Sequence, residues 1–418
     1  MAPITSLLIA GLATLAAAQN GAPPVAVGAV IGRLRVPITC QLLGGNQTFD
    51  AVISGEAPAY AKAGAQFYIT DATGLITIPQ NVVQIARNRG AVSAVATTNI
   101  KINATGATPS SVTAFSGNVP VTFPASGSTT LRFPSGNGTL SDIGPFTMGS
   151  GSIARTSIGN VAISLALKDA NGAAVSSAIQ VTCGKQTVAT ALINVNLDAV
   201  NINNATSYNP RPKNGYIPNF PTIPQNTEFG YFRFPYNCTL GALGVQQLDL
   251  TLGGQIPTYV RAGASFSLTN GRSFLRIPAN LVALSKLGFP SVATFNTNAT
   301  SVQIRTTNAS PALVEVVKNP PLVSVVDVRN VDTTKDLVIP LPAAGSTLTV
   351  GPVVAGAAGG IIGLSVGNAT AHTQLRNATG AVLFEFDVQC VPVADLKLAA
   401  ITISNVAPQN ATLPATTK

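Results

Sequence analysis

Apolar and polar residues alternate with a period of two over many short stretches of this chain. Leu248-Asp249-Leu250-Thr251-Leu252 and Leu383-Phe384-Glu385-Phe386-Asp387-Val388 contain alternation that puts apolar side chains on one face and polar ones on the other, as half-buried strands do. Gln66-Phe67-Tyr68-Ile69-Thr70, Leu75-Ile76-Thr77-Ile78 and Val161-Ala162-Ile163-Ser164-Leu165-Ala166-Leu167 alternate or run apolar between Gly, Asp and Asn punctuation. The turns Asp169-Ala170-Asn171-Gly172 and Asn377-Ala378-Thr379-Gly380 each precede a strand that carries a cysteine. Short helices are predicted over 79–89 and 278–287, where a proline opens each segment. Many short strands with regular turns predict an all-β protein built from antiparallel sandwiches.

The chain repeats itself. Pro58-Ala59-Tyr60-Ala61-Lys62-Ala63-Gly64-Ala65-Gln66-Phe67 matches Pro257-Thr258-Tyr259-Val260-Arg261-Ala262-Gly263-Ala264-Ser265-Phe266. The same spacing aligns Ile78-Pro79-Gln80-Asn81-Val82-Val83 with Ile277-Pro278-Ala279-Asn280-Leu281-Val282. After a shift, Pro124-Ala125-Ser126-Gly127-Ser128 matches Pro342-Ala343-Ala344-Gly345-Ser346, and Ile158-Gly159-Asn160 matches Val366-Gly367-Asn368. Cys40 and Cys238 then open the two copies, and Cys183 and Cys390 close them. Four cysteines allow three connectivities. Duplication favours Cys40–Cys183 and Cys238–Cys390, one bridge inside each copy, over a zinc site, because no cysteine pair has the close spacing of zinc frameworks.

Domain limits follow. Two tandem antiparallel β-sandwich domains are expected at 35–197 and 232–406, joined by a Pro/Asn-rich linker over 198–231 and followed by a polar tail over 407–418. The linker contains Pro210, Pro212, Pro218, Pro221 and Pro224, which remove hydrogen-bond donors and stiffen the chain. Residues 6–17 form an uncharged apolar run ending in Ala16-Ala17-Ala18. That is the form of a secretory signal peptide over 1–18, and the run is too short to span a membrane. No later stretch is a good span, and the polar C-terminus lacks the hydrophobic tail of a lipid-anchor signal. The expected location is secreted, in the extracellular space or the cell wall.

The opening segments Ile38-Thr39-Cys40 and Tyr236-Asn237-Cys238 and the closing segments Val181-Thr182-Cys183 and Val388-Gln389-Cys390 resemble a tandem secreted β-rich domain of unknown function found in actinobacterial exported proteins. So does the Pro-Ala/Thr-Tyr that precedes each Ala-Gly-Ala strand. The resemblance covers about four-fifths of the chain through short motifs. It implies an extracellular β-domain with a structural disulfide and implies no reaction. Asn-x-Ser/Thr acceptors stand at Asn46, Asn103, Asn137, Asn204, Asn237, Asn298, Asn308, Asn368, Asn377 and Asn410. This density departs from a bacterial background, points to a fungal relative, and makes these asparagines candidate glycosylation sites on surface loops.

Composition removes other classes. Hydrophobic residues make up 46% of the chain and charged residues 9%, which excludes disorder as the main state. Gly, Pro, Ser, Thr, Asn and Val predominate over the Ala, Glu, Lys, Leu and Arg of helical bundles. The net charge is +9, from 24 basic and 15 acidic residues. The basic residues are dispersed apart from Arg33/Arg35, Arg87/Arg89 and Arg272/Arg276, and Trp is absent. Nucleic-acid binding is therefore not expected, since it uses clustered charge with aromatic platforms. A mild positive field suits anionic wall polymers or glycans as partners.

Lys62 and Arg261, beside Tyr60 and Tyr259 at equivalent places, are candidates for a repeated contact; blunting a sheet edge with charge is the alternative. Tyr208, Tyr216, Tyr231 and Tyr236 surround the linker, where an aromatic platform for sugars would sit. Tyr216 and Tyr231 are its candidate residues.

His372 is the single histidine, so a catalytic triad exists once at most. It is read as an exposed or strand-edge side chain. Glu385 and Asp387 face one side of a strand, as a pair of glycosidase carboxylates would; an exposed strand face explains them equally. Asp327, Asp332 and Asp336 read as a solvated loop rather than a calcium site. No metal or cofactor is expected. The leading expectation is a secreted, non-enzymatic structural or adhesive glycoprotein. The alternatives are a carbohydrate- or lipid-binding module and a glycoside hydrolase-like enzyme.

Overall fold

The computed structural model describes residues 22–23, 25–136, 139–184, 190–199, 222–317, 321–395 and 397–406. The expected signal peptide, most of the expected linker and the polar tail lie outside them. The protein is all-β. Its first half holds β1 (Ala29–Leu42), β2 (Gly45–Pro58), β3 (Tyr60–Ala61), β4 (Gln66–Ile78), β5 (Ser93–Thr105) and β6 (Ala107–Thr108). It continues with β7 (Ser111–Thr122), β8 (Thr129–Phe133), β9 (Ser141–Met148), β10 (Ile153–Lys168), β11 (Ile179–Cys183) and β12 (Ile193–Leu197).

The second half holds β13 (Thr227–Leu240), β14 (Val245–Pro257), β15 (Tyr259–Arg261), β16 (Ser265–Ile277), β17 (Val292–Thr307), β18 (Ala309–Ser310) and β19 (Leu313–Glu315). It ends with β20 (Leu322–Asp327), β21 (Leu337–Leu341), β22 (Leu348–Ala355), β23 (Ile361–Asn377), β24 (Val382–Pro392) and β25 (Lys397–Ser404). The two predicted helices form as α1 (Gln80–Asn88) and α2 (Ala279–Gly288), with Pro79 and Pro278 in the cap position just ahead of them.

The halves share one topology. The first orders its strands β8-β4-β2-β1-β11-β10-β5-β7. The second runs β21-β16-β14-β13-β24-β23-β17-β20. These pairings are antiparallel; β3 with β12 and β15 with β25 are the matching parallel pairs.

The alternation read from the sequence sets the inward faces. On β1, Leu34, Val36, Ile38, Cys40 and Leu42 are buried, while Thr39 and Gln41 face solvent. Leu43 and Gly44 turn β1 into β2 with φ of 49° and 80°, the two left-handed residues of a tight hairpin. Both disulfides form as expected. Cys40 pairs with Cys183 and Cys238 with Cys390, each directly opposed across neighbouring strands.

The halves are joined by more than the connecting chain. The first strand of each pairs with the other, β1 against β13, from Ala29↔Arg233 to Arg35↔Thr227. At the centre Gly32 faces Gly230. These glycines stand the same distance ahead of Cys40 and Cys238, so the central pair are counterparts, and a local two-fold axis through them exchanges the pairs on either side, Ala29↔Arg233 with Arg35↔Thr227. Backbones approach closely here: a Cβ on Gly230 would lie 3.1 Å from the Ile31 carbonyl oxygen. Thr227–Tyr231, expected in the linker, are therefore strand, and β1 begins ahead of the expected limit at residue 35. The prolines upstream hid the alternation of Phe229 and Tyr231 with Glu228 and Gly230.

The same symmetry governs both sides of the seam. Arg35 forms an ion pair with Asp50 at 2.7 Å and Arg233 with Asp249 at 2.5 Å. Arg35 Nη1 also donates to the Ile223 carbonyl of the other half, and Arg233 Nη1 to the Val25 carbonyl. Val25, Ile31, Ile223, Phe229, Tyr231 and Phe274 are buried together on this face. On the opposite face Tyr60 of the first half packs edge-on against Phe232 of the second, ring centres 6.1 Å apart. Asn196 Nδ2 donates to the carbonyls of Ala59 and Lys397, again one from each half. Burial of each such aromatic ring contributes about 1.5–3 kcal/mol.

Candidate functional site

Neighbouring strands β20, β17, β23 and β24 lay two rows of side chains across the outside of the second half. Register places Val323, Asn298, His372 and Asp387 in one row. Val325, Asn296, Gln374 and Glu385 form the next. Directly opposed residues share a face, and the strands stand about 4.8 Å apart, so the rows form a continuous lattice across four strands. Val323 and Val325 are 49% and 58% exposed and supply an apolar border. The opposite border is acidic.

The polar groups of β23 and β24 are tied together. His372 Nδ1–H donates to Asp387 Oδ1 at 2.8 Å, and Nε2 lies 3.6 Å from Glu385 Oε2. Gln374 Nε2 donates to the same Glu385 carboxylate at 2.9 Å, and Arg376 donates from Nε and Nη2 to Gln374 Oε1. The hydrogen bond to Asp387 raises the His372 pKa above its ordinary value, with the charge of both carboxylates adding to it. The site is open: the His372, Glu385 and Asp387 side chains are 34%, 55% and 77% exposed.

The first half carries a neutral version. There Asn118, Thr97, Ser164 and Gln180 occupy the first row. Thr97 Oγ1 donates to Asn118 Oδ1, and Gln180 Nε2 donates to Ser164 Oγ, both at 2.8 Å. The hydrogen-bonded pair thus survives in both copies, and the second alone makes it ionic. Read in isolation, His372 and the Glu385/Asp387 pair gave no sign of each other. Counting both strands back from the paired cysteines would have placed them opposite one another.

The other predicted site residues are placed elsewhere. Tyr60, Tyr231 and Tyr259 are buried, at 2%, 8% and 7% exposure, so their rings cannot serve as surface platforms. Tyr60 and Tyr231 are buried at the seam, where β1 and β13 meet in place of the expected free linker, and Tyr259 lies beside β25. Burial raises the Tyr60 hydroxyl's pKa, with Asp395 and Asp198 adding to it. Lys62 is half-exposed and Arg261 exposed; Tyr216 lies outside the described residues.

Among the sequons, Asn46, Asn237, Asn308 and Asn368 are exposed and Asn103, Asn298 and Asn377 half-buried. Asn137, Asn204 and Asn410 lie outside the described residues. Asn377 Oδ1 accepts from Thr379 and Ala381 backbone N–H groups, closing the predicted turn. The three loop aspartates serve separate local contacts. Asp327 binds Arg329, Asp332 binds Thr334, and Asp336 accepts the Ala279 N–H at the start of α2.

Among the described residues no helix is long and apolar enough to cross a membrane. No protein-family model, curated protein or solved structure matches the chain.

Proposed function

We propose that this is a secreted, non-enzymatic glycoprotein with a structural or adhesive role at the cell surface or in the extracellular matrix, and that it holds hydroxyl-rich glycans on the double row of the second half. The observation that carries this reading is the amphipathic lattice itself. Val323 and Val325 offer apolar contact to sugar C–H groups, while His372, Gln374, Glu385 and Asp387 offer donors and acceptors at strand spacing. An open array spread over four strands suits an extended polymer better than a single sugar, which concave sites enclose. The openness of the carboxylates also argues against the hydrolase reading, because glycosidases set two carboxyls apart by enclosing one of them. Asn298 sits in the same lattice, so an attached glycan there would cover it.

The test is a titration of the secreted protein with isolated extracellular polysaccharide at low and high salt. Saturable binding that persists in high salt is expected. It should weaken at least about tenfold in Glu385→Gln/Asp387→Asn, since hydrogen bonds to charged groups contribute about 1.5–3 kcal/mol each. Binding abolished by salt would shift the contact to dispersed cations and anionic polymers. No binding at low salt would overturn the adhesive role.

A further inference from the structure

Two cavities adjoin across the β1–β13 seam, one in each half, of about 70 and about 140 Å3. Val30, Glu228, Gly230, Phe232 and Leu398 line both. Leu252, Ile256, Leu268, Ile304, Val350 and Leu364 make the larger one strongly apolar. An apolar cavity of roughly 150 Å3 holds a benzene-sized molecule. Val30 and Glu228 precede Gly32 and Gly230 by the same spacing, so the local two-fold relates a valine to a glutamate. One copy has thus placed an ionisable group in a seam that the other copy builds from hydrocarbon. No hydrogen bond or ion pair reaches the Glu228 side chain among the described residues.

We infer that the larger cavity is a binding site for a small apolar molecule carrying one hydrogen-bond acceptor and no donor, such as an aryl ether, with the Glu228 carboxyl as its polar anchor. Glu228 is only half-buried by area, yet desolvation pushes its pKa up to about 8, because the space it opens onto is the apolar cavity. The raised pKa favours the protonated carboxyl, which can then donate to an acceptor placed in the cavity. The charged groups on the walls are Arg33 and Lys397 on the smaller cavity and Arg272 on the larger. Arg33 Nε is already engaged by Ser54 Oγ, and Arg272 is exposed.

Anisole and toluene, followed by calorimetric titration and thermal shift, test this site separately from the glycan lattice. Anisole, whose ether oxygen can only accept, should bind and raise the melting temperature at about pH 6, and bind about tenfold more weakly at about pH 9 as the carboxyl ionises. Toluene, lacking the acceptor, should bind more weakly and without that pH dependence. Glu228→Gln should bind anisole equally at both pH values. Val350→Phe should abolish binding of both probes; Val316→Phe makes the same test from a half-buried wall position if the first variant does not fold. The inference is overturned by a folded protein that takes neither probe, by binding that survives the filled cavity, or by a pH dependence that Glu228→Gln retains.

Discussion

Replacing Cys238 and Cys390 together with serine is expected to lower stability by about 4 kcal/mol, and the Cys40/Cys183 pair should cost the same. The two bridges span 143 and 152 residues, so the entropy each removes from the unfolded chain is nearly identical. In the folded state each joins directly opposed strands at buried positions, so both double variants bury the same pair of hydroxyls in place of the bridge. Urea midpoints of the two double variants check the equality as well as the size. A cost below about 1 kcal/mol for either would show that the unfolded chain is already constrained in that half.

Tyr231→Ala should be comparably severe, at about 3–5 kcal/mol, the usual cost of removing a buried aromatic ring. Its ring lies between Phe229 and Phe274, with centres at 5.2 and 6.4 Å. Gly253 is the complementary residue. A Cβ there would stand 2.2 Å from Tyr231 Cδ1, so Gly253→Ala overpacks the site and should cost about 1–3 kcal/mol. Because the clash is with this ring, the two effects should not add. Tyr231→Ala/Gly253→Ala should be less destabilised than the sum of the single variants by at least about 1 kcal/mol. Additive losses would mean that the glycine is required for another reason. Either way, a ligand shift lost on Tyr231→Ala would report packing before it reported binding.

Much of this architecture was legible in the residues. Strand alternation, the paired Pro-Ala/Thr-Tyr segments and the matching cysteines implied a duplicated all-β chain with one bridge in each copy, and the helices after Pro79 and Pro278 followed from the fixed φ of proline. The seam was not legible. Strand pairing between distant segments leaves no local pattern, and Thr227–Tyr231 carry aromatic and charged residues because both faces of that strand are covered. The tyrosines misled for the same reason: an aromatic near a proline-rich stretch reads as surface until a partner strand buries it. The polar lattice was half-visible, since Glu385 and Asp387 were paired along one strand while His372 lay across the sheet. Cross-strand register depends on long-range pairing, which period-two alternation does not specify. Glu228 gave no signal at all, because an acid in a strand ordinarily faces water.

β1 and β13 fuse the two copies into one body about a local two-fold. Differential scanning calorimetry of the intact, oxidised protein tests this fusion. A single endotherm, with calorimetric and van't Hoff enthalpies equal, is the predicted result, because neither copy can unfold without opening the shared sheet. Two resolved endotherms, each with its own enthalpy match, would contradict it and return the protein to two independent domains on a linker.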